Sequence, residues 1–310
     1  MPPVAACSRQ HAGIFAPVPM KAGTSPKSKA HWPTVAIVGT GLIGGSVGLA
    51  VQARRLATRV IGVGRSAPSL AAARKAKVVT ETSLDLEAAV ADADLVVIAT
   101  DVGTIPAILE RVDAAVKPGT LVTDAGSTKA SIVSAWEKRR RSRRSRFVGG
   151  HPIAGSHRSG PAAATASLFE GRITVVTPAS ATPADDAEAI GGFWSALGST
   201  VFMMPPQEHD KLLAATSHAP HPMAAAIAVA TPATARQFTA GGWKDTTRIA
   251  AGDPDLWADI LLDNAANVAT ALAKIARAAE KMITAIEVGD RRRLVTLLSQ
   301  AKEERDAVGG

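Results

Sequence analysis

The feature that most constrains this chain is Gly39-Thr40-Gly41-Leu42-Ile43-Gly44, a G-x-G-x-x-G run set directly behind Thr34-Val35-Ala36-Ile37-Val38. A short apolar, β-branched run that ends in glycine reads as a buried parallel strand. An apolar helical pattern follows to about Arg54. In that setting each glycine has a task. Gly39 permits the tight turn, Gly41 lets the backbone approach a pyrophosphate, and Gly44 lets the helix pack close to the strand. The first amides of the helix and its dipole then favour phosphate charge. Residues 39–44 are therefore expected to cradle a dinucleotide. A glycine-rich turn without a ligand is the bland alternative, and the strand–turn–helix context weighs against it.

The end of the second strand bears on which dinucleotide. An NAD-selective site usually places Asp or Glu there, about 20 residues further on, to hold the ribose hydroxyls. Here the run Arg59-Val60-Ile61-Gly62-Val63 ends in Gly64-Arg65-Ser66, and the first acidic residue of the chain is Glu81. A guanidinium suits a 2′-phosphate. The expected cofactor is NADP or NAD, with Gly64, Arg65 and Ser66 favouring NADP. Arg65 as an exposed loop charge is the alternative.

Further strand-like runs are Asp94–Thr100, Thr120–Asp124, Arg146–Gly150 and Thr174–Thr177. Helical patterns fall between most of them, at Ser69–Ala76, Leu84–Ala91 and Lys129–Arg139. This alternation implies a doubly wound parallel sheet. After about Met204 the strands stop, and Glu208–Ala230, Leu256–Lys281 and Asp290–Ala307 read as long helices. Asp253-Pro254 supplies a capping carboxylate and a first-turn proline. The expectation is an α/β Rossmann-type dinucleotide-binding domain followed by an all-α domain, with residues 1–32 as a disordered tail, 33–203 as the first domain and 204–310 as the second. A chain of 310 residues suits two domains, since single cores rarely grow past about 250–300 residues.

A formal net charge of +8 biases the chain toward anionic partners, nucleic acid and dinucleotides alike. The run from Lys138 to Arg146 is the one candidate nucleic-acid patch. No aromatic interleaves it and it falls between two pieces of the sheet, so it reads as a basic helix end. The single cysteine, Cys7, excludes an intrachain disulfide and a multi-Cys metal site. No apolar run approaches the roughly 18 residues a membrane span needs. The leader lacks the apolar stretch of a signal peptide, and its acid-poor character also fits a transit peptide. Ala and Arg stay frequent along the whole chain, which favours a cytoplasmic protein with a tail.

Segments able to carry chemistry gather at the carboxyl ends of strands, where ligands bind in this architecture. Thr100 ends one strand. Asp124-Ala125-Gly126-Ser127-Thr128-Lys129 ends another and begins a helix, and Thr100 and Asp124 join the expected cofactor contacts. His151-Pro152-Ile153-Ala154-Gly155-Ser156 follows the next strand. Further on come His209-Asp210, Ser217-His218-Ala219-Pro220-His221, Gly241-Gly242-Trp243-Lys244-Asp245-Thr246-Thr247-Arg248, and Trp257.

With the motifs Asp124–Lys129, His151–Ser156, Ser217–His221 and Asp245–Arg248 in this order, the chain resembles the prephenate/arogenate dehydrogenase family from the glycine motif to about Ile260. The resemblance implies oxidative decarboxylation of a cyclohexadienyl acid, with hydride passing to a nicotinamide, on the route to tyrosine. It also implies a homodimer formed by the helical domain. The residues fit such chemistry. A histidine at a strand's carboxyl end, His151, suits a base for the substrate hydroxyl, with Ser127 beside it. Arg248 suits a substrate carboxylate. The resemblance adds Ser217, His218, His221, Ser156, Gly241, Trp257 and His209 to the substrate pocket. On an unbroken helix Ser217 and His221 share one face. No metal is expected. His157 and Pro222 depart from the family pattern where the substrate side chain is read, so the resemblance covers prephenate and arogenate alike. Two alternatives remain: another two-domain dehydrogenase of the β-hydroxyacid or imine reductase type, and a nucleotide- or nucleic-acid-binding module without catalysis.

Overall fold

The computed structural model describes residues 32–139, 143–155 and 158–308. Cys7, Ser156, His157 and the expected tail up to residue 31 lie outside the described residues. Trp32, assigned to that tail from sequence, is part of the core. It is buried, stands edge-on to Phe193 at 5.3 Å, and donates its backbone N–H to Leu56.

Strand β1 (Thr34–Val38) is buried along its whole length and pairs in parallel with β2 (Arg59–Val63) and β4 (Leu95–Ile98). The other strands are β3 (Glu81–Ser83), β5 (Leu121–Asp124), β6 (Arg146–Pro152), β7 (Ile173–Thr177) and β8 (Thr200–Met203). Among the described residues the sheet has eight strands, in the order β3-β2-β1-β4-β5-β6-β7-β8. Alternate residues of β1 serve opposite faces. Val35 and Ile37 join one core cluster with Val47 of helix α1 (Leu42–Ala53) and with Phe193 and Trp194 of α6 (Ala184–Ala196). Ala36 and Val38 join the other, with residues of α3 (Leu86–Val90), α4 (Ile105–Ala115) and α5 (Ala130–Lys138). Helix α2 (Ala67–Lys75) follows β2.

The sheet departs from the expected all-parallel arrangement at one edge. Strand β7 runs antiparallel to β6, with Gly149 opposite Thr177 and Pro152 opposite Thr174, and β8 then runs parallel to β7. A parallel neighbour needs a long crossover, usually a helix. Between β6 and β7 the described chain forms only a short 3₁₀ turn at Pro161–Ala163. The antiparallel partner also extends β6 through His151 and Pro152, so His151 lies within the strand rather than after it.

Chain contacts divide the molecule into two units. One runs to Asp210 and takes in Gly252–Asp263; the other comprises Lys211–Ala251 and the chain from Asn264 onward. Helix α10 (Pro254–Asp263) belongs to the first because Ile260 and Trp257 pack on the cluster that holds Val102 and Leu109. The remaining helices are α7 (Pro206–Leu213), α8 (Pro220–Ala230), α9 (Gly241–Thr247), α11 (Ala265–Glu287) and α12 (Arg291–Ala307). Asp253 caps α10 as expected, its Oδ1 accepting from Asp255 and Leu256 N–H.

Two helices expected as single pieces are broken. Between α7 and α8, residues Ala214–His218 form a wide π-type turn, with Ala219 N–H bonded to Ala214 C=O at 2.9 Å. Pro220 and Pro222 have no N–H to offer the preceding turn, and a proline ring crowds the carbonyl four residues back. The second break, between α10 and α11, falls at Asn264.

The described arginines of the basic run are spent on the scaffold. Arg139 pairs with Glu110 and Asp113, and Arg143 binds the Trp136 and Glu137 carbonyls while lying 4.6 Å from the Trp136 ring centroid. Arg144 binds the Val116 carbonyl, and Arg146 binds Gly119 and Asp186.

Candidate active site

The glycine turn behaves as its pattern requires. Gly39 has φ +94°, and a side chain there would meet the Ala99 carbonyl. A Cβ on Gly44 would fall within the Gly39 carbonyl oxygen, whereas at Gly41 it would meet nothing within 4 Å. Gly41, Leu42 and Ile43 line a cavity of about 650 Å³ together with Arg65, Thr100 and Ser127. Trp257 borders the same cavity from α10. The open face at Gly41, at the start of α1, fits the close approach of a pyrophosphate.

Other expected cofactor contacts are placed differently. Thr40 is buried, its methyl lying over Gly62. Ser66 caps α2, its Oγ accepting from Ser69 N–H. A Cβ on Gly64 would lie 2.8 Å from Leu70 Cδ2, so the position that carries an acid in many such folds has no room for a side chain unless Leu70 moves. Asp124 does not reach outward as expected. Its carboxylate is wholly buried, pairs with the Lys129 ammonium, and accepts from Gly126 and Gly150 N–H at 2.9 and 3.0 Å.

The same unit holds a chain of titratable groups. His151 Nδ1 lies 2.8 Å from His209 Nε2, and His209 Nδ1 lies 2.7 Å from Asp210 Oδ1. All three residues are buried. The Asp210 carboxylate also accepts from Lys129 N–H at 2.8 Å and Ala130 N–H at 2.9 Å, the first amides of α5. Burial works to raise the pKa of Asp210, but the bonds from His209, Ala130 and Lys129 outweigh it and hold the carboxyl below its usual range. Burial pushes His209 down, against the pull of Asp210. The outcome is an ionised Asp210 beside a neutral His209. A carboxylate only accepts, so His209 Nδ1 carries the proton and its Nε2 accepts from His151 Nδ1–H. That leaves His151 Nε2 as the basic nitrogen.

In the helical unit, Asn264 Oδ1 accepts from Asn267 Nδ2, so the Asn264 amide nitrogen faces His218 Nδ1, at 3.0 Å. An amide nitrogen donates, which places the His218 proton on Nε2. His221 is buried and bonded to the Ile249 backbone; burial lowers its pKa and that bond opposes the change. Ser217 is half-buried on the π-type turn, which interrupts the helical face expected for Ser217 and His221. Arg248 is exposed at the end of α9, and Gly241 opens that helix. Sequence reasoning missed the parts played by Lys129, Asp210 and Asn264. The Asp-x-x-x-x-Lys spacing and the Asp directly after His209 were the available signals for the first two. Among the described residues no group of three or more His, Cys, Asp or Glu side chains is placed to hold a metal ion, and no helix is long and apolar enough to cross a membrane.

Comparison with known proteins matches most of the chain. Residues 47–203 match the model of the prephenate dehydrogenase nucleotide-binding domain, and residues 205–300 that of the prephenate dehydrogenase dimerization domain. The chain is 34% identical to prephenate dehydrogenase of Bacillus subtilis over 89% of its own length and 76% of the relative's. A crystal structure of Aquifex aeolicus prephenate dehydrogenase with hydroxyphenyl propionate and NAD+ superposes with a TM-score of 0.82 at 28% identity, covering 91% of this chain and all of that one. Synechocystis arogenate dehydrogenase superposes with a TM-score of 0.75 at 27% identity, covering 89% and 99%.

Proposed function

The chain belongs to the prephenate dehydrogenase family, and on that footing we propose that it oxidatively decarboxylates prephenate or arogenate, giving 4-hydroxyphenylpyruvate or tyrosine. The observation that carries the reading is the Asp210–His209–His151 chain, which runs from α7 to β6 of the sheet whose glycine turn bounds the 650 Å³ cleft. When bound, the nicotinamide supplies the hydride acceptor. Gly39, Gly41, Gly44 and the start of α1 hold its dinucleotide. His151 Nε2 takes the proton of the substrate hydroxyl, which assists departure of hydride from the carbon bearing it. The ring carbon opposite then loses carbon dioxide, and the electron pair left behind makes the ring aromatic as a phenolate, whose oxygen takes the proton back from His151 Nε2. Asp210 and His209 keep the His151 proton on Nδ1, so the accepting nitrogen is the one offered to substrate. Ser127 steadies the same hydroxyl. Arg248 holds a substrate carboxylate, with Ser217, His218, His221 and Gly241 around it.

Within this reading the cofactor is NADP by preference. Arg65 on the cleft and a Gly64 packed against Leu70 support that choice. The protein works in the cytoplasm as a homodimer through its helical unit. Ile283 and Ile286 of α11 are more than half exposed, as is Leu298 of α12, which gives a second copy apolar surface to cover. Turnover with each substrate and each cofactor, followed as reduced nicotinamide absorbance, tests the proposal. Activity in any of the four combinations supports it, and the best combination fixes both preferences. A folded protein that binds cofactor and turns over neither substrate overturns it.

A further inference from the structure

The mechanism above leaves one buried charged pair unused. Asp124 and Lys129 have fully buried side chains and pair with each other. They also hold one residue, Gly150, from two sides. Gly150 N–H donates to Asp124 Oδ1 at 3.0 Å, and Lys129 Nζ donates to the Gly150 carbonyl at 2.9 Å. The third side is closed as well. A Cβ on Gly150 would lie 2.9 Å from the Asp124 carbonyl, Thr123 Oγ1 and Trp194 Nε1. The next residue is His151. The backbone of Lys129 meanwhile donates to Asp210, so one residue touches one end of the histidine chain and the neighbour of the other.

We propose that Asp124 and Lys129 are positioning residues for the reaction: their ion pair clamps Gly150 through its N–H and its C=O and so sets His151 against His209, without either residue touching substrate or cofactor. The inference rests on His151 being the base. It also explains why a costly buried pair is present. Paired ions taken out of water give little net stability, and removing one partner strands the other. Here the pair fixes a strand end where a small error in imidazole placement is costly. Its charges also bear on the chain. The Lys129 ammonium acts to lower the pKa of His209, and Asp124 acts to raise it.

The test is the pH profile of kcat/KM for Lys129→Gln and for the double variant Asp124→Asn with Lys129→Gln. Lys129→Gln leaves the carboxylates of Asp124 and Asp210 without the opposing cation. His209 then protonates more easily, and the acid limb moves up by about one pH unit, with kcat lowered and cofactor affinity near wild type. The double variant removes both charges and keeps a donor and an acceptor for Gly150. It returns the acid limb toward the wild-type position and restores part of kcat. A folded Lys129→Gln enzyme with the wild-type limb and kcat overturns the proposal. So does a folded double variant whose limb stays displaced, which is also the decisive reading should the single variant not fold. His151→Asn separates this from the parent reading: wild-type turnover there removes the base itself, whereas an inactive His151→Asn beside an unperturbed Lys129→Gln removes only the clamp.

Discussion

Asp210 Oδ1 accepts from two donors at once, the His209 ring at 2.7 Å and the Lys129 backbone at 2.8 Å. The carboxylate thereby ties the start of α5 to the imidazole that backs His151. Asp210→Asn keeps the shape but offers His209 an amide that donates as well as accepts. The variant is expected to populate the wrong tautomer of His209, and with it the wrong proton position on His151. Turnover should fall by about 10²–10⁴-fold, as when an orienting carboxylate is lost elsewhere, while the KM for cofactor stays near wild type. Steady-state kinetics on both substrates checks this. A kcat within twofold of wild type would show that the tautomer is set without Asp210.

Cofactor choice gives a second prediction. Arg65 lines the cleft just beyond β2, where Gly64 packs against Leu70. Arg65→Ala should raise the KM for NADP by about tenfold or more, the worth of one charge-assisted contact to a phosphate. The KM for NAD should change little. Equal effects on both cofactors would move Arg65 from the 2′-phosphate to a part they share.

Gly48 illustrates a constraint outside the site. A Cβ there would fall within the Val78 carbonyl oxygen and lie 3.2 Å from Ile37 Cδ1. Helix α1 rests directly on backbone at this point, so there is no flexible side chain to give way. Gly48→Ala is expected to cost about 3 kcal/mol or more, at or above the upper end for overpacking. A thermal or urea melt measures it; loss of under about 1 kcal/mol would mean that α1 shifts freely on the sheet.

The parts legible in the sequence were those with short-range signals. The glycine turn, β1, β2 and the cap of α10 follow from local pattern, because tight turns and caps are made by neighbours in sequence. Strand β3 was missed because Glu-Thr-Ser carries no apolar signal, and β8 (Thr200–Met203) was passed over as well. The reversal at β7 depends on what the linking segment does not form, a crossover helix, and no local run encodes that. At the site, His151 and His209 were both singled out, but their contact spans 58 residues. Asp124 was read as an outward-facing ligand because strand ends usually are. Its partner five residues on, Lys129, is what turns it inward.

The last prediction concerns stability against pH. Burial holds the pKa of His209 below its usual value, and that of His221 as well. In the unfolded chain both return to about 6.5. Above that pH neither state binds a proton at these rings, and they add no slope. Below it the unfolded chain takes up protons that the folded protein resists, so stability falls as pH drops from about 6.5 toward the lower folded values. Asp210 has the carboxylate sign. Its depressed pKa contributes stability that is present above its unfolded value of about 3.9 and is lost as pH falls through the folded one. The two windows are separate, so the histidine part is read alone between pH 7 and pH 5. Urea midpoints should decline across that interval in the wild type, and less steeply in His221→Gln, which removes one of the two groups. Equal midpoints at pH 7 and pH 5 would mean that the buried imidazoles accept protons as readily as exposed ones.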